Sequence, residues 1–288
     1  MNKFYIITNH QKDEGLTLTK SIQDYLLAHG KECIIQEESL KEHSGDYMFT
    51  DARLIPDDIE CIIVLGGDGT LIQAARDVAD KQIPLLGVNL GTLGYLTEIE
   101  KNNVIPALDK LIRNDYVIEE RLMLKGEVFH KKKSTFQNRS LNDIVINREG
   151  KLRIIHYDIY VNGEYLVSYS ADGIIISTPT GSTGYNLSAG GPIVDPKADI
   201  LTVTPICSHT LNSKSIVLSA NDRVIVKIGP GRKKDIETVL ATFDGDTSVK
   251  METGDYIEIT RSTKSTQIIK LSKISFLEAL RNKMGDIR

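Results

Sequence analysis

The sequence predicts an α/β N-terminal domain with a mainly parallel sheet, followed by an all-β, sandwich-like domain. Up to about Asn114, short apolar runs alternate with amphipathic stretches, the pattern of parallel strands joined by crossover helices. From about Arg121, strand-like runs follow one another with turn dipeptides between them and no helical stretch. The 288 residues suffice for two domains of ordinary size. The boundaries expected from these changes are 1–119 for the α/β domain, 120–270 for the β domain, and 271–288 for a final helix packing back on the first domain.

In the first domain, Phe4 to Thr8 reads as a strand. Leu16 to Ala28 places Leu16, Ile22, Leu26 and Leu27 at roughly helical spacing, and Gly30 is positioned to end that helix in a left-handed conformation. Glu32 to Gln36 reads as a second strand. Glu37 to Pro56 is polar, irregular and too long for an ordinary connection, so it reads as a surface loop. Cys61 to Leu65 is apolar at every position, as a strand covered on both faces must be. Leu71 to Ala79 reads as its helix, Pro84 to Val88 as another strand, and Val104 to Asn114 as another helix.

In the second domain the expected strands are Leu122 to His130, Leu141 to Asn147, Arg153 to Val161, Gly173 to Ser177, Ile200 to Thr204, Arg223 to Ile228, Glu237 to Phe243, Tyr256 to Thr260 and Gln267 to Leu271. Asn162-Gly163 and Asp244-Gly245 are hairpin-turn dipeptides. Phe276 to Met284 reads as the final helix.

Apolar residues make up 41% of the chain, charged residues 26%, and the formal net charge is -4, which excludes intrinsic disorder and any bulk attraction to nucleic acid. The runs Lys131-Lys132-Lys133 and Arg232-Lys233-Lys234 lie between strand-like segments and read as solvated hairpin tips, not nucleic-acid patches. No stretch approaches the roughly 18 apolar residues of a membrane span, and no secretory leader pattern opens the chain. A cytoplasmic location without membrane or nucleic-acid partners is expected. Cys33, Cys61 and Cys207 lie far apart beside aliphatic neighbours, so three buried, reduced thiols are expected. The six histidines are scattered, and no metal-ligand cluster of protein side chains is evident. No Gly-x-Ser-x-Gly elbow points to a hydrolase.

Directly after the strongest buried strand comes Gly66-Gly67-Asp68-Gly69-Thr70, and a helix begins at once. Glycines remove the Cβ atoms that would hold a phosphate off the backbone, and the N–H groups of a helix start favour an anion. The loop Gly66, Gly67, Gly69 and Thr70 is therefore a candidate phosphate site at the carboxyl end of a parallel strand. A Walker lysine is missing, so another device must neutralise the phosphate charge, and Mg²⁺ or another divalent cation arriving with ATP is expected. Asp68 would repel phosphate unless it had another task. It is placed to accept a hydrogen bond from an attacking hydroxyl, aligning it more than deprotonating it; the alternative is a simple cap on the following helix. Asn89-Leu90-Gly91-Thr92-Leu93-Gly94-Tyr95-Leu96 follows the next strand. Its glycines would bring a second loop near the first, with Tyr95 and Leu96 either contacting substrate or serving as core.

The densest block runs from Ser170 to Ile193, where a buried strand delivers Ser177-Thr178-Pro179-Thr180-Gly181-Ser182-Thr183-Gly184-Tyr185. Hydroxyls and backbone amides suit the polar edges of a nucleoside, and Tyr185 offers a flat face or a hydroxyl. These two blocks together closely resemble the NAD kinase family. The Gly-Gly-Asp-Gly-Thr loop alone is shared with diacylglycerol and sphingosine kinases, with a close variant in phosphofructokinases; the second block separates them. The likeness extends to Leu141-Asn142-Asp143 and Phe243-Asp244-Gly245-Asp246 and to the domain order along the chain.

The resemblance implies a Rossmann-like α/β domain and a β-sandwich with NAD in the cleft between them, and transfer of the γ-phosphoryl group of ATP to the 2′-hydroxyl of the adenosine ribose. In that family the loop aspartate, here Asp68, lies beside the reacting ribose. Asn142 and the acid after it match residues that contact the dinucleotide, and Thr180, Thr183, Gly184, Tyr185 and Ser188 match positions around its adenosine part. Asp172 matches a further site residue. The family commonly carries Glu where this chain has Asp143, and the missing methylene shortens that carboxylate's reach. Read from residues alone, Asn142 and Asp143 look like turn residues opening a strand. The resemblance further implies that the region of Asp244, itself a candidate substrate-binding residue, approaches the site of a neighbouring subunit, in a homotetramer or dimer.

Overall fold

The computed structural model describes residues 1–36, 50–91, 94–150, 154–209, 213–231, 235–272 and 274–285. Most of the expected Glu37 to Pro56 loop, Arg153, the run Arg232-Lys233-Lys234, and Thr92 and Leu93 of the second glycine segment lie outside the described residues. The chain divides into two compact units, Met1–Arg121 with Lys264–Arg288, and Leu122–Thr263.

The first unit is built on β1 (Lys3–Thr8), α1 (Thr17–Ala28), β2 (Glu32–Ile35), β3 (Cys61–Gly66), α2 (Asp68–Asp77), β4 (Leu85–Asn89), β5 (Ile99–Glu100), α3 (Val104–Ile112) and β6 (Val117–Arg121). The strand Thr266–Lys270 enters the same sheet between β4 and β6, and the order is β2-β1-β3-β4-(266–270)-β6, with β5 also on β4. Every pairing is parallel except that of Thr266–Lys270 with β6. Phe4, Ile6, Ile63, Leu65, Leu86 and Val88 form a core with Ile22 and Leu26 of α1 and Leu108 and Leu111 of α3. Leu27, the fourth residue of the expected apolar stripe, instead points to solvent. Gly30 ends the α1 segment at φ +71, the left-handed geometry expected of it. β3 and β4 run side by side with Gly66 opposite Asn89, so the two glycine segments leave the sheet from adjacent strand ends.

The second unit contains β7 (Leu124–His130), β8 (Lys133–Ser140), β9 (Asp143–Arg148), β10 (Ile155–Val161), β11 (Glu164–Ala171), β12 (Gly173–Ser177), the short helix α4 (Tyr185–Ser188), β13 (Ile200–Ile206), β14 (Ile216–Ser219), β15 (Val224–Ile228), β16 (Thr238–Phe243), β17 (Thr247–Glu252) and β18 (Tyr256–Arg261). Two antiparallel sheets, ordered β11-β10-β15-β18-β7-β8 and β14-β13-β12-β9-β16-β17, enclose one core. Tyr157, Ile159, Val226 and Ile257 of the first sheet pack with Ile144, Ile174, Val203 and Phe243 of the second. The sheets approach so closely at Gly126 that a Cβ there would lie 2.7 Å from both Ile144 and Phe243. Asn162-Gly163 and Asp244-Gly245 both have φ > 0 at their two positions, as the hairpin reading requires, and Lys131 and Lys132 turn the β7–β8 hairpin.

Three expectations need correction. The strand Gln267 to Leu271, assigned from sequence to a β domain ending at 270, belongs to the first sheet, because a five-residue run does not reveal which sheet it joins. Cys33 and Cys61 are buried, but Cys207 is exposed, since the chain leaves β13 there through a left-handed residue at φ 46. Strands β8, β11, β14 and β17 were not among the expected ones. All four are sheet edges, whose exposed faces dilute the alternation of apolar and polar residues. Among the described residues no helix is long and apolar enough to cross a membrane.

Candidate active site

Gly66 is the last residue of β3, and a Cβ there would overlap the Thr70 side chain, so only glycine lets α2 start this tightly. The Thr70 hydroxyl accepts a hydrogen bond from Asn9 Nδ2 at 3.3 Å. The N-cap of α2 is Gly67, and Leu71 N–H donates to its carbonyl at 3.1 Å. The N–H groups of Asp68, Gly69 and Thr70 thus fall in the first turn, where a helix offers them no partner of its own.

Asp68 does not cap its helix. Its carboxylate reaches across to the segment after β4, where Oδ2 accepts from Tyr95 N–H at 2.6 Å. Oδ1 accepts from Leu96 N–H at 3.1 Å, Thr97 N–H at 3.0 Å and the Thr97 hydroxyl at 2.9 Å. The carboxylate lies against Gly94, where a Cβ would collide with it. Tyr95 is half-buried, whereas Leu96 is a core residue contributing its N–H. Sequence reasoning passed over Thr97 and Asn9; a hydroxyl residue shortly after a glycine segment was the signal available.

The same segment is fixed from its other side. Glu98 accepts from Leu271 N–H, Ser272 N–H, the Ser272 hydroxyl and Lys270 Nζ. Burial pushes the Glu98 carboxyl up, but Lys270 and these donors outweigh it and hold it below the usual range. Asn89, 3% exposed, accepts from Gly91 N–H at 2.8 Å, and its Nδ2 has no hydrogen-bond partner among the described residues.

In the second unit, β12 and β9 are antiparallel with Ser177 opposite Asp143, so the hydroxyl-rich turn and the Asn142-Asp143 pair lie at the same sheet end. Thr178 fastens them: its N–H donates to Asn142 O at 2.9 Å, its hydroxyl donates to Leu141 O at 2.6 Å and accepts from Gly181 N–H at 3.1 Å. Gly181 sits on the Asn142 backbone with no room for a Cβ. Asn186, fully buried, holds the turn from within. Its Nδ2 donates to Ser182 O and Pro192 O, and its Oδ1 accepts from the hydroxyls of Thr202 and Thr204. Sequence reasoning did not single out Asn186, although a polar residue amid small ones before Gly190-Gly191 marks it.

Tyr185 and Ser188 face solvent, Thr183 and Gly184 are half-buried, and Thr180 is buried. Asn142 Nδ2 lies 3.6 Å from where a Gly184 Cβ would stand, and its buried Oδ1 has no partner among the described residues.

Asp244, in the left-handed hairpin turn, accepts from the N–H groups of Leu141 and Asn142, each at 2.8 Å, and of Asp143 at 3.2 Å. The structure thus joins Asn142, Asp143, Asp244 and the 180–188 turn into one cluster. Asp143 is 5% exposed, and burial, then the charge of Asp244, push its carboxyl up to about 7. Asp172 is not in this cluster: it precedes β12, at the opposite end of the strand, and pairs with Arg148 Nε at 3.1 Å. No group of three or more His, Cys, Asp or Glu among the described residues is arranged to hold a metal ion.

Against this geometry, the model of the ATP-NAD kinase N-terminal domain matches residues 4–116 and that of the C-terminal domain residues 141–271. An NAD kinase from Lachnospira eligens is 48% identical over 99% of this chain and 100% of its own length, and one from Lachnoclostridium phytofermentans is 47% identical with the same coverage. The chain belongs to the NAD kinase family. Two solved structures share the fold. Yeast NADH kinase complexed with NADH has a TM-score of 0.85 at 24% identity over 99% of this chain and 88% of its own. An NAD kinase from Archaeoglobus fulgidus in complex with ATP has a TM-score of 0.76 at 23% identity over 99% and 98%. As a member of this family, the protein is a phosphotransferase that uses ATP to convert NAD to NADP.

Proposed function

We propose that the γ-phosphoryl group of ATP passes to the 2′-hydroxyl of the adenosine ribose of NAD with Asp68 aligning that hydroxyl. The observation that carries this reading is the state of the Asp68 carboxylate. Among the described residues Oδ1 has three donors and Oδ2 one, Tyr95 N–H. A carboxylate oxygen offers about two acceptor directions, so Oδ2 keeps one for the substrate O–H. The hydroxyl donates there, its oxygen attacks the γ-phosphorus in line, the bond to the bridging oxygen of ADP breaks, and the proton leaves toward Asp68 late in the transfer.

The loop Gly66, Gly67, Gly69 and Thr70, with the first-turn N–H groups of Asp68, Gly69 and Thr70, receives the donor phosphates. Magnesium or another divalent cation would enter with ATP and supply charge neutralisation, since magnesium usually takes few carboxylates and several phosphate oxygens and waters. Tyr185 covers the adenine, Thr180, Thr183, Gly184 and Ser188 surround the adenosine, and Asn142 Oδ1 accepts from a nucleotide O–H or N–H. Asp244 acts by holding the 141–143 turn, with Asp143 buried behind it. Tyr95 and Leu96 serve through the N–H groups that grip Asp68. Asp172 belongs to the proposal as a substrate-binding residue, and the Asp244-Gly245-Asp246 turn through self-association into a homotetramer or dimer, in the cytoplasm.

The test is incubation of purified protein with Mg·ATP and NAD. NADP bearing the label of γ-labelled ATP is expected; transfer to diacylglycerol and not to NAD would make the protein a lipid kinase, and binding without transfer would make it a regulatory module.

A further inference from the structure

The glycine loop lacks a Walker lysine, yet a lysine far away in sequence reaches it. Lys12 lies in the turn after β1, and a Cβ built on Gly67 would stand 3.2 Å from its Nζ, one built on Gly91 3.8 Å from the same atom. The ammonium is therefore poised beside both glycine segments. Its position is built. Asn9 N–H donates to Leu65 O of β3 at 2.8 Å, and Lys12 N–H and Asp13 N–H both donate back to Asn9 O. The neighbouring carboxylate is committed elsewhere: Asp13 accepts from Leu18 N–H, Thr19 N–H and the Thr19 hydroxyl at the start of α1. The Lys12 side chain is exposed, and its ammonium has no hydrogen-bond or ion-pair partner among the described residues. An ammonium held over two Cβ-free surfaces is a point charge suited to an anion.

We propose that Lys12 binds the phosphate chain of ATP at the glycine loop, replacing the Walker lysine with a residue delivered from the turn after β1. This rests on the reading of that loop as the donor-phosphate site. The occupant is a nucleoside triphosphate, because the cation sits beside the glycine segments of the candidate donor-phosphate loop.

The experiment compares Lys12→Met and Lys12→Arg in steady-state kinetics against both substrates. Lys12→Met is expected to lower kcat/KM for ATP about 10- to 100-fold while KM for NAD stays within about twofold, and Lys12→Arg to recover most of the loss. Gly69→Glu tests the loop separately: an acid in the first turn suits the helix but repels phosphate. Impaired Gly69→Glu with unimpaired Lys12→Met overturns the role of Lys12 alone; both unimpaired overturns the loop reading with it. A rise in KM for NAD without one for ATP also overturns the proposal. Acetylation of the wild-type protein, followed by mass spectrometry, needs no variant: ATP is expected to shield Lys12 from modification, and equal modification with and without ATP contradicts the assignment.

Discussion

The two units hold their ligand-facing loops by opposite means. In the α/β unit the residue assigned to the chemistry is also the clamp, since Asp68 spends four accepted hydrogen bonds fixing residues 95–97. In the β-sandwich the clamps are the buried Asn186, Ser182 and Thr178 and the half-buried Asp244, while Tyr185 and Ser188 stand outside them. Chemistry and architecture are therefore inseparable at the first loop and separable at the second.

The largest effect should come from Asp68→Asn. The amide offers one acceptor oxygen where the carboxylate offers two, so it faces at least one backbone N–H with a donor of its own. Turnover is expected to fall about 10³-fold, with a loss of stability of about 1–3 kcal/mol measured by denaturant titration. A fall in turnover with stability unchanged would break the claim that one group does both tasks. Asn186→Ala should cost about 2–4 kcal/mol of stability, because it removes the amide bonded to the buried Thr202 hydroxyl, the Ser182 and Pro192 carbonyls and the Thr204 hydroxyl, which keeps only Ser215. Tyr185→Ala should raise KM for NAD about 10-fold, from lost stacking, and move stability by less than about 0.5 kcal/mol. Were Tyr185→Ala to unfold the protein, or Asn186→Ala to leave its stability intact, the separation would fail.

The electrostatic contrast gives a smaller, pH-dependent effect. The folded Asp143 carboxyl is raised to about 7 from 3.8. Between those values the folded chain retains a proton that the unfolded chain has released, so stability declines as pH rises from about 4 to about 7 and levels off above. Asp143→Asn should remove this slope and add on the order of 1–2 kcal/mol at pH 8, read from melts across that range. A melting temperature for Asp143→Asn that keeps the wild-type slope would show that another group titrates there.

The sequence disclosed most of what is apolar and continuous. β3, β12 and the helices of the first unit were legible because burial on both faces or on one stripe forces a pattern on the residues. The sandwich edges were not, because β8, reading Lys-Ser-Thr-Phe-Gln-Asn-Arg-Ser, owes its strand to hydrogen bonds with β7. At the site the same division holds. Asp68 and the 177–185 block announced themselves by composition, whereas Lys12, Asn9 and Thr97 matter only through tertiary approach to residues about 30 to 80 positions distant, which no local spacing records. Asp244 was legible as a site residue, but its visible work is on the 141–143 backbone.

The central claim is that the open direction on Asp68 Oδ2 receives the reacting hydroxyl. It is tested most directly by a crystal structure with NAD and a non-hydrolysable ATP analogue bound. The expected distance from the 2′-oxygen of the adenosine ribose to Asp68 Oδ2 is about 2.7 Å, with the Tyr95 N–H bond retained. A 2′-oxygen lying beyond about 4 Å from both carboxylate oxygens, with no bridging water, would contradict it.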